Sequence, residues 1–318
     1  MKTVFRSVEE AADQFGPCAL SIGNFDGVHL GHRTLIRQTQ HVAQRNGWKT
    51  GVLTFDPHPT SIVAPERAPR MICSLQQRVR LLEAAGAEQI LILPFTKRTA
   101  AMAPEEFVRE IAVEALGARA VVVGQGFKFG YKQCGNTQVM AELGQRFGFE
   151  SHFLAPITTR GEVISSTAVR THLANGKVAR ACRLLGRTFS LEGEVVPGQG
   201  IGSKQTVPTL NILPGEEIVP ANGVYVTETE DLENGRRWHS VTNVGVRPTF
   251  GGTGLTIETF LLSAFDGQTP ERIAVHFRHR IREERKFENP SALRTQILKD
   301  AGRASAYWRR VTGLSGRK

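Results

Sequence analysis

The sequence predicts two domains: an α/β domain built on a parallel sheet over residues 1–186, then a mostly-β domain with a C-terminal helix over 187–318. Three observations carry this. Strand-length apolar runs alternate with capped helical patterns through the first half. From about Leu191, short apolar stretches follow one another between Gly, Pro, Asn and Asp, a spacing that suits an antiparallel barrel or sandwich. The texture changes at Leu185-Gly186-Arg187, after a helix-like Val178–Leu185. Each half is large enough to bury its own core.

In order, Ala19–Ile22, Gly51–Phe55, Gln89–Leu93, Ala120–Val123 and Phe149–Leu154 read as buried strands. Between them, Arg33–Arg45 carries helical apolar spacing. Leu75–Ala85 follows Ser74, has Gln77 at capping-box distance and stops at Gly86. Glu105–Leu116 follows Pro104 and stops at Gly117. Strand and helix in alternation predict a parallel sheet covered on both faces, with ligands at the carboxyl ends of its strands. Asn24–His32, Asp56–Pro59 and Gly124–Gly130 all fall there. In the second half, Glu194–Val196, Gly223–Thr227, His239–Val246, Thr256–Leu262 and Ile273–Phe277 read as strands. Pro290 to about Val311 reads as a helix, with Leu293, Ile297, Ala301 and Ala304 on one face.

Net charge is +10, divided as +7 over residues 1–186 and +3 over 187–318, a balance suited to anionic ligands. No recognition motif or aromatic-interleaved basic run accompanies it, so small-molecule nucleotides are expected as partners and nucleic acid is not. Cys18, Cys73, Cys134 and Cys182 are far apart, without C-x-x-C or zinc spacing, as expected of reduced thiols. Met1–Phe15 lacks the apolar stretch of a signal peptide, and no run approaches the ~20 apolar residues of a membrane span. A cytoplasmic protein without membrane attachment is expected, with homo-oligomerisation left open.

The most informative stretch is Gly23-Asn24-Phe25-Asp26-Gly27-Val28-His29-Leu30-Gly31-His32. It places two histidines at a strand-to-helix turn, three residues apart on the first helical turn. Gly27 and Gly31 allow backbone conformations and close approaches that a side chain would block. A helix N-terminus with imidazoles is suited to holding polyphosphate and to offsetting charge that develops at phosphorus. Ser165-Ser166-Thr167-Ala168-Val169-Arg170 sets hydroxyls at a second helix start, with an arginine one turn later, a pattern that also serves as plain capping. In the second half, Gly198-Gln199-Gly200-Ile201-Gly202-Ser203-Lys204 precedes Pro208-Thr209-Leu210-Asn211. Three alternate glycines free a backbone to fold around phosphates, or simply mark a hairpin. Thr209 and Asn211 face one way on a strand and offer the oxygen donors that suit magnesium. Glu258 lies among strand formers, where solvent is the default reading.

Together these segments resemble the H-x-G-H and S-S-T-x-x-R signatures of the nucleotidylyltransferase superfamily. More specifically, Gly23–His32, Phe55-Asp56-Pro57-His58-Pro59 and Ser165–Arg170 resemble the FMN adenylyltransferase half of bacterial bifunctional riboflavin kinase/FAD synthetases. Gly193–Asn211, Gly223-Val224-Tyr225, Thr242–Phe250, Ile257–Leu262 and Phe277–Asp300 resemble the successive motifs of the riboflavin kinase domain. The resemblance covers nearly the whole chain in the expected order. It implies a nucleotidylyltransferase-like α/β fold followed by a barrel, ATP as co-substrate with Mg2+, and riboflavin, FMN and FAD as substrates or products.

The same resemblance implies roles for individual residues. His29, His32 and Arg170 would be catalytic for adenylyl transfer, and Glu258 would be the proton acceptor of the kinase. Gly23, Asn24, Phe25, Asp26, Gly27, Gly31, Ser166 and Thr167 would bind nucleotide in the first half, and Gly198, Gly202 and Lys204 in the second. Asp56, Pro57, His58, Phe127 and Arg247 would contact flavin, and Thr209 and Asn211 would position the metal. Two departures stand out. Gly202-Ser203-Lys204-Gln205-Thr206-Val207-Pro208 replaces the family's G-R-x-x-G-F-P, which predicts weakened nucleotide binding by the kinase half. Gly126 stands where the family usually has Asp or Asn.

Overall fold

The computed structural model describes residues 4–196, 209–213, 215–249, 252–263 and 268–315. In the first unit, β1 (Val4–Phe5), β2 (Cys18–Ile22), β3 (Lys49–Asp56), β4 (Gln89–Pro94), β5 (Ala118–Gly124) and β6 (Glu150–Leu154) form one parallel sheet in the order β1-β4-β3-β2-β5-β6. Helices α1 (Leu30–Asn46), α2 (Leu75–Ala84) and α3 (Thr137–Phe147) fall between its strands. The pleat explains why both faces are covered. Leu20, Leu53, Leu91 and Val121 enter one apolar cluster, and their strand neighbours Ala19, Val52, Ile90 and Ala120 enter the other. Truncating a buried leucine such as Leu53 to alanine would cost about 2–5 kcal/mol.

Helix ends follow local chemistry. Ser74 caps α2 by accepting the Gln77 N–H at 3.1 Å, and Gly47 closes α1 in the left-handed conformation. The helix expected over 105–116 opens as an α-turn at Pro104–Glu106 but continues as a π-helix over Phe107–Ala115, a widening that apolar spacing does not reveal. Helix α3 and strand β1 had no counterpart in the sequence reading.

The first unit ends with a two-stranded ribbon of β7 (Thr158–Thr159) and β8 (Glu162–Val163) and the first residue of α4 (Ser166–Ala174); in the second unit the rest of α4 and then α5 (Val178–Leu185) lead into β9 (Phe189–Val196). Strands β10 (Thr209–Ile212), β11 (Gly223–Asp231), β12 (Arg237–Thr249), β13 (Gly252–Leu261) and β14 (Arg272–Arg282) close a barrel with β9 in the order β10-β13-β12-β11-β14-β9. Of the barrel and sandwich alternatives, it is the barrel. Its interior holds a chain of buried hydroxyls, Thr229–Ser240–Thr227–Thr242–Thr259, linked at 2.7–2.9 Å. Each hydroxyl finds its partner across strands, so none is a costly orphan. Outside, Val224, Val226 and Val241 pack under Ala304 and Trp308 of α6 (Pro290–Ser315), the helix expected there.

The chain divides into compact units between Ser166 and Thr167. The boundary read from sequence lies after Gly186, beyond α4 and α5. The two helices join the barrel unit because Leu173 accepts the Ala221 N–H at 3.0 Å and α5 packs on β14 and β9.

Candidate active sites

The Gly23–His32 segment leaves the carboxyl end of β2 and enters α1 through a strained, over-determined turn. Phe25 and Val28 have φ of 49° and 37°, and Gly27 has 76°. Such backbone costs of order 1–3 kcal/mol per non-glycine residue and persists only where surroundings hold it. Burial of the Phe25 and Val28 side chains does so here. The Asp26 carboxylate, also buried, accepts the Ile72 N–H at 2.9 and 3.0 Å, and the Asp26 carbonyl accepts the Ser166 hydroxyl at 2.9 Å. The Gly27 N–H donates to Cys73 Sγ at 3.3 Å, and a Cβ on Gly27 would meet Ile72 Cγ2 at 2.8 Å. The carboxylate of Asp26 therefore secures the loop from behind.

His29 is the N-cap of α1. Its Nδ1 accepts the His32 N–H at 3.2 Å, so the neutral ring carries its proton on Nε2. The His29 and His32 rings stack, centroids 3.6 Å apart and 15° from parallel, with Phe25 edge-on to His32 at 5.1 Å. Gly31 is what lets them do so: a Cβ there would lie 3.1 Å from the His29 ring.

The neighbouring strand end adds a second layer. The Asn24 carbonyl accepts from Thr54 Oγ1 at 3.1 Å and from Arg78 at 3.0 Å, and Arg78 reaches Asp56 Oδ1 at 3.5 Å. His58 Nδ1 accepts the Thr60 N–H at 3.2 Å, which leaves the proton on Nε2. That Nε2 lies 3.1 Å from the Asn24 amide nitrogen. Asp56, Pro57 and His58 thus follow β3 beside the loop. Beyond β5, Phe127 stacks on Phe129 at 5.4 Å, and the Phe127 N–H donates to the Gly124 carbonyl at 2.9 Å. Among the described residues other than its chain neighbours, no atom lies within 4 Å of where a Cβ on Gly126 would stand.

Ser166 begins α4, and Thr167 and Arg170 follow on it as part of the second unit. Arg78 and the Ile72–Cys73 backbone were missed in the sequence reading. Arg78 carried a signal, a charged residue in the apolar stretch of α2 between Leu75 and Leu82, and the structure buries it almost completely.

In the barrel, the register gathers three residues from distant sequence. Asn211 on β10 lies directly across from Glu258 on β13, and Glu258 lies directly across from Asn243 on β12. Leu210 and Ile212 are buried while Thr209 is exposed and Asn211 partly so, which puts Thr209 and Asn211 on the outer face. Asn243 was not singled out from the sequence; only the pairing reveals it. Arg247 pairs with Gly254 through its backbone. Gly198, Gly202 and Lys204 lie outside the described residues. Among the described residues no three His, Cys, Asp or Glu side chains gather as a metal-binding group.

Comparison with known proteins follows the same division. The FAD synthetase family model matches residues 11–168 and the riboflavin kinase model matches 185–308. The bifunctional riboflavin kinase/FMN adenylyltransferase of Escherichia coli (strain K12) is 33% identical over 283 residues, 89% of this chain and 90% of that protein. Its namesake from Haemophilus influenzae is 32% identical over 305 residues, 96% and 99% of the two chains. A crystal structure described as a macrolide-efflux protein from Streptococcus pneumoniae superposes with a TM-score of 0.83 at 26% identity, over 93% of this chain and 96% of that one. Fold and matches define a two-domain class, an FAD synthetase domain followed by a riboflavin kinase domain. The chain belongs to the bifunctional riboflavin kinase/FMN adenylyltransferase family.

Proposed function

We propose that this protein makes FMN from riboflavin and ATP in its barrel half, and FAD from FMN and a second ATP in its α/β half. The stacked His29–His32 pair on the N-terminus of α1, beside the carboxyl ends of β2 and β3, is the observation that carries the adenylyl half. An FMN phosphate oxygen attacks the α-phosphorus of ATP. The bond from that phosphorus to the β-phosphate bridge oxygen breaks, and pyrophosphate leaves. No protein nucleophile is needed, because the substrate phosphate already is one. The Nε2–H of His29, the α1 N-terminus, His32 and the Ser166 and Thr167 hydroxyls would bear the developing charge. Arg170, one turn further along α4, is assigned to the same task by the family signature. Asn24 would serve the nucleotide side of the reaction, and His58 would orient the flavin side, with Asp56, Pro57 and Phe127. Asp26 would act through the loop it clamps.

In the barrel, the riboflavin 5′-hydroxyl attacks the γ-phosphorus, a P–O bond forms, the bond to the β-phosphate bridge breaks and ADP leaves. Glu258 takes the hydroxyl proton. The donor set beside it, the Thr209 hydroxyl and Asn211 amide oxygen, is hard and uncharged and would hold Mg2+. When bound, the ion supplies charge neutralisation at the phosphates. Gly198, Gly202 and Lys204 would wrap the phosphates, and Arg247 would contact flavin. We place these reactions in the cytoplasm, with small-molecule substrates; among the described residues no helix is long and apolar enough to cross a membrane.

The test is incubation with ATP, Mg2+ and either riboflavin or FMN, followed by separation of the flavins. Riboflavin should give FMN and then FAD, and FMN should give FAD with one pyrophosphate per FAD. FAD from FMN without any FMN from riboflavin would reduce the protein to an adenylyltransferase.

A further inference from the structure

Among the described residues, Arg78 is the only lysine or arginine buried from solvent, its side chain 2% exposed. From α2 it reaches the place where the sheet parts. The β2–β3 ladder runs from Cys18 opposite Lys49 to Ile22 opposite Leu53, and the Gly23 N–H closes it on the Leu53 carbonyl at 3.1 Å. Strand β3 continues beside β4 as far as Asp56 opposite Pro94, while the chain beyond β2 turns away into the histidine loop. Side chains take over there. Thr54 Oγ1 donates to the Asn24 carbonyl at 3.1 Å, and Arg78 Nη1 donates to the same carbonyl at 3.0 Å. Arg78 Nη2 faces Asp56 Oδ1 at 3.5 Å. One guanidinium therefore holds both edges of the split, by the main chain on one side and by a carboxylate on the other.

Stability alone does not account for an arginine at this position. A buried cation keeps its desolvation cost, and a well-packed apolar side chain of similar volume often serves a fold as well or better. Arg78 is also incompletely satisfied. Its Nε is buried without a hydrogen-bond partner among the described residues, and the Asp56 side chain that faces it is 47% exposed. What an apolar residue could not supply is a set of N–H donors in one rigid plane, aimed at two chain segments at once. Those segments are the ones assigned to the two substrates, Asn24 and the histidine loop to the nucleotide and Asp56–His58 to the flavin.

We propose that Arg78 is a positioning residue for adenylyl transfer: it fixes the spacing of the nucleotide-bearing and flavin-bearing segments, and so aligns the FMN phosphate with the α-phosphorus of ATP. The proposal rests on the adenylyl reading of the α/β unit. Arg78 touches neither substrate and acts through the Asn24 carbonyl and the Asp56 carboxylate. Each substrate keeps its own contacts when the bridge is lost, so alignment suffers and binding does not.

The test compares full-length wild type, Arg78→Met and Arg78→Lys, each assayed at a temperature where thermal unfolding shows it folded. Arg78→Met should lower kcat for FAD formation from FMN by about 10–100-fold, with KM for ATP and for FMN each within about threefold of wild type. FMN formation from riboflavin in the same preparation should match wild type. Arg78→Lys keeps the charge and can reach one acceptor at a time, so it should recover part of the lost kcat. Should Arg78→Met not fold, Arg78→Gln, a polar change that cannot pair ionically with Asp56, takes its place with the same expectation. An unchanged kcat in the neutral variant, or a KM for either substrate that rises as much as kcat falls, overturns the proposal and leaves the adenylyl reading standing. A fall in kcat that Arg78→Lys does not lessen overturns it as well. Wild-type protein that makes no FAD from FMN removes the adenylyl reading itself, and the proposal with it.

Discussion

The two candidate sites are built in opposite ways. Around His29 and His32, ten consecutive residues supply the turn, and buried hydrogen bonds from Ile72, Thr54, Arg78 and Ser166 hold that turn from outside. Around Glu258, neighbours come from separate strands, and their meeting depends on barrel register: a slip of one residue would turn Asn211 to the interior. A locally built site announces itself in sequence and is sensitive to loop strain. A register-built site is nearly silent in sequence and sensitive to strand pairing.

The comparison breaks most sharply at Glu258. Glu258→Gln should lower FMN formation from riboflavin by about 10²–10⁴-fold, the range for removing a general base. It should leave FAD formation from FMN unchanged, since that reaction is assigned to the other unit. Parallel loss of both rates would mean that the substitution had harmed the fold. His29→Ala and His32→Ala should act in mirror image, each cutting FAD formation by about 10²–10³-fold, as loss of a preorganised charge-stabilising donor does. Steady-state rates with each acceptor check both expectations.

Gly27→Ala sharpens the contrast by straining the loop and leaving the imidazoles in place. Left-handed backbone at φ 76° and a 2.8 Å approach to Ile72 should together cost about 2–4 kcal/mol. Thermal unfolding should register this loss with FAD formation reduced and FMN formation retained. Arginine at Ser203 tests the weakened nucleotide grip expected of the kinase half. It should lower the apparent KM for ATP with riboflavin as acceptor, by about tenfold if one charge-assisted contact is regained. The KM for ATP in FMN adenylylation should not move.

The smallest effect concerns pH. Burial holds His276 below its ordinary value of 6.5, outweighing the upward pull of Glu230. The native barrel therefore favours neutral His276, and the associated stability is complete above pH 6.5 and lost as pH falls below it. His276→Gln should flatten part of the fall in melting temperature between pH 7.5 and 5.5. An equally steep fall in the variant would remove His276 from the account.

Much of the fold was legible because the core strands of the α/β unit are continuous apolar runs, and helix α2 is bracketed by Ser74 and Gly86. Helix α3 was not, although Asn136 caps it and Gly148 ends it. Its interior Gly144 lowers helix propensity, yet is required because a Cβ there would meet the Phe149 carbonyl oxygen at 2.8 Å. Barrel strands read shorter than they are: on β14, Arg278, Arg280 and Arg282 alternate outward beyond the apolar Ile273–Phe277. At the adenylyl site, histidines and glycines stood out, but the clamp on Asp26 is made by backbone N–H groups that no side chain advertises. At the kinase site Glu258 carried no signal of its own; the family resemblance pointed to it, and Asn243 emerged only from cross-strand pairing. Where the units divide is open to the same kind of test. Residues 167–318 should melt cooperatively if α4 and α5 belong to the barrel, and 1–186 with 187–318 should do so if the sequence boundary is the folding boundary.

The central claim is that two separate constellations carry two consecutive reactions. It is tested most directly by mixing His29→Ala with Glu258→Gln protein, supplying riboflavin, ATP and Mg2+, and separating the flavins over time. Each variant alone should fail to make FAD from riboflavin, the first stopping at FMN and the second leaving riboflavin unchanged. The mixture should make FAD, because FMN released by one protein is adenylylated by the other. A mixture that makes no FAD, while each variant retains its own half-reaction, would contradict free passage of FMN between separate sites. A His29→Ala protein that no longer phosphorylates riboflavin would contradict the division itself.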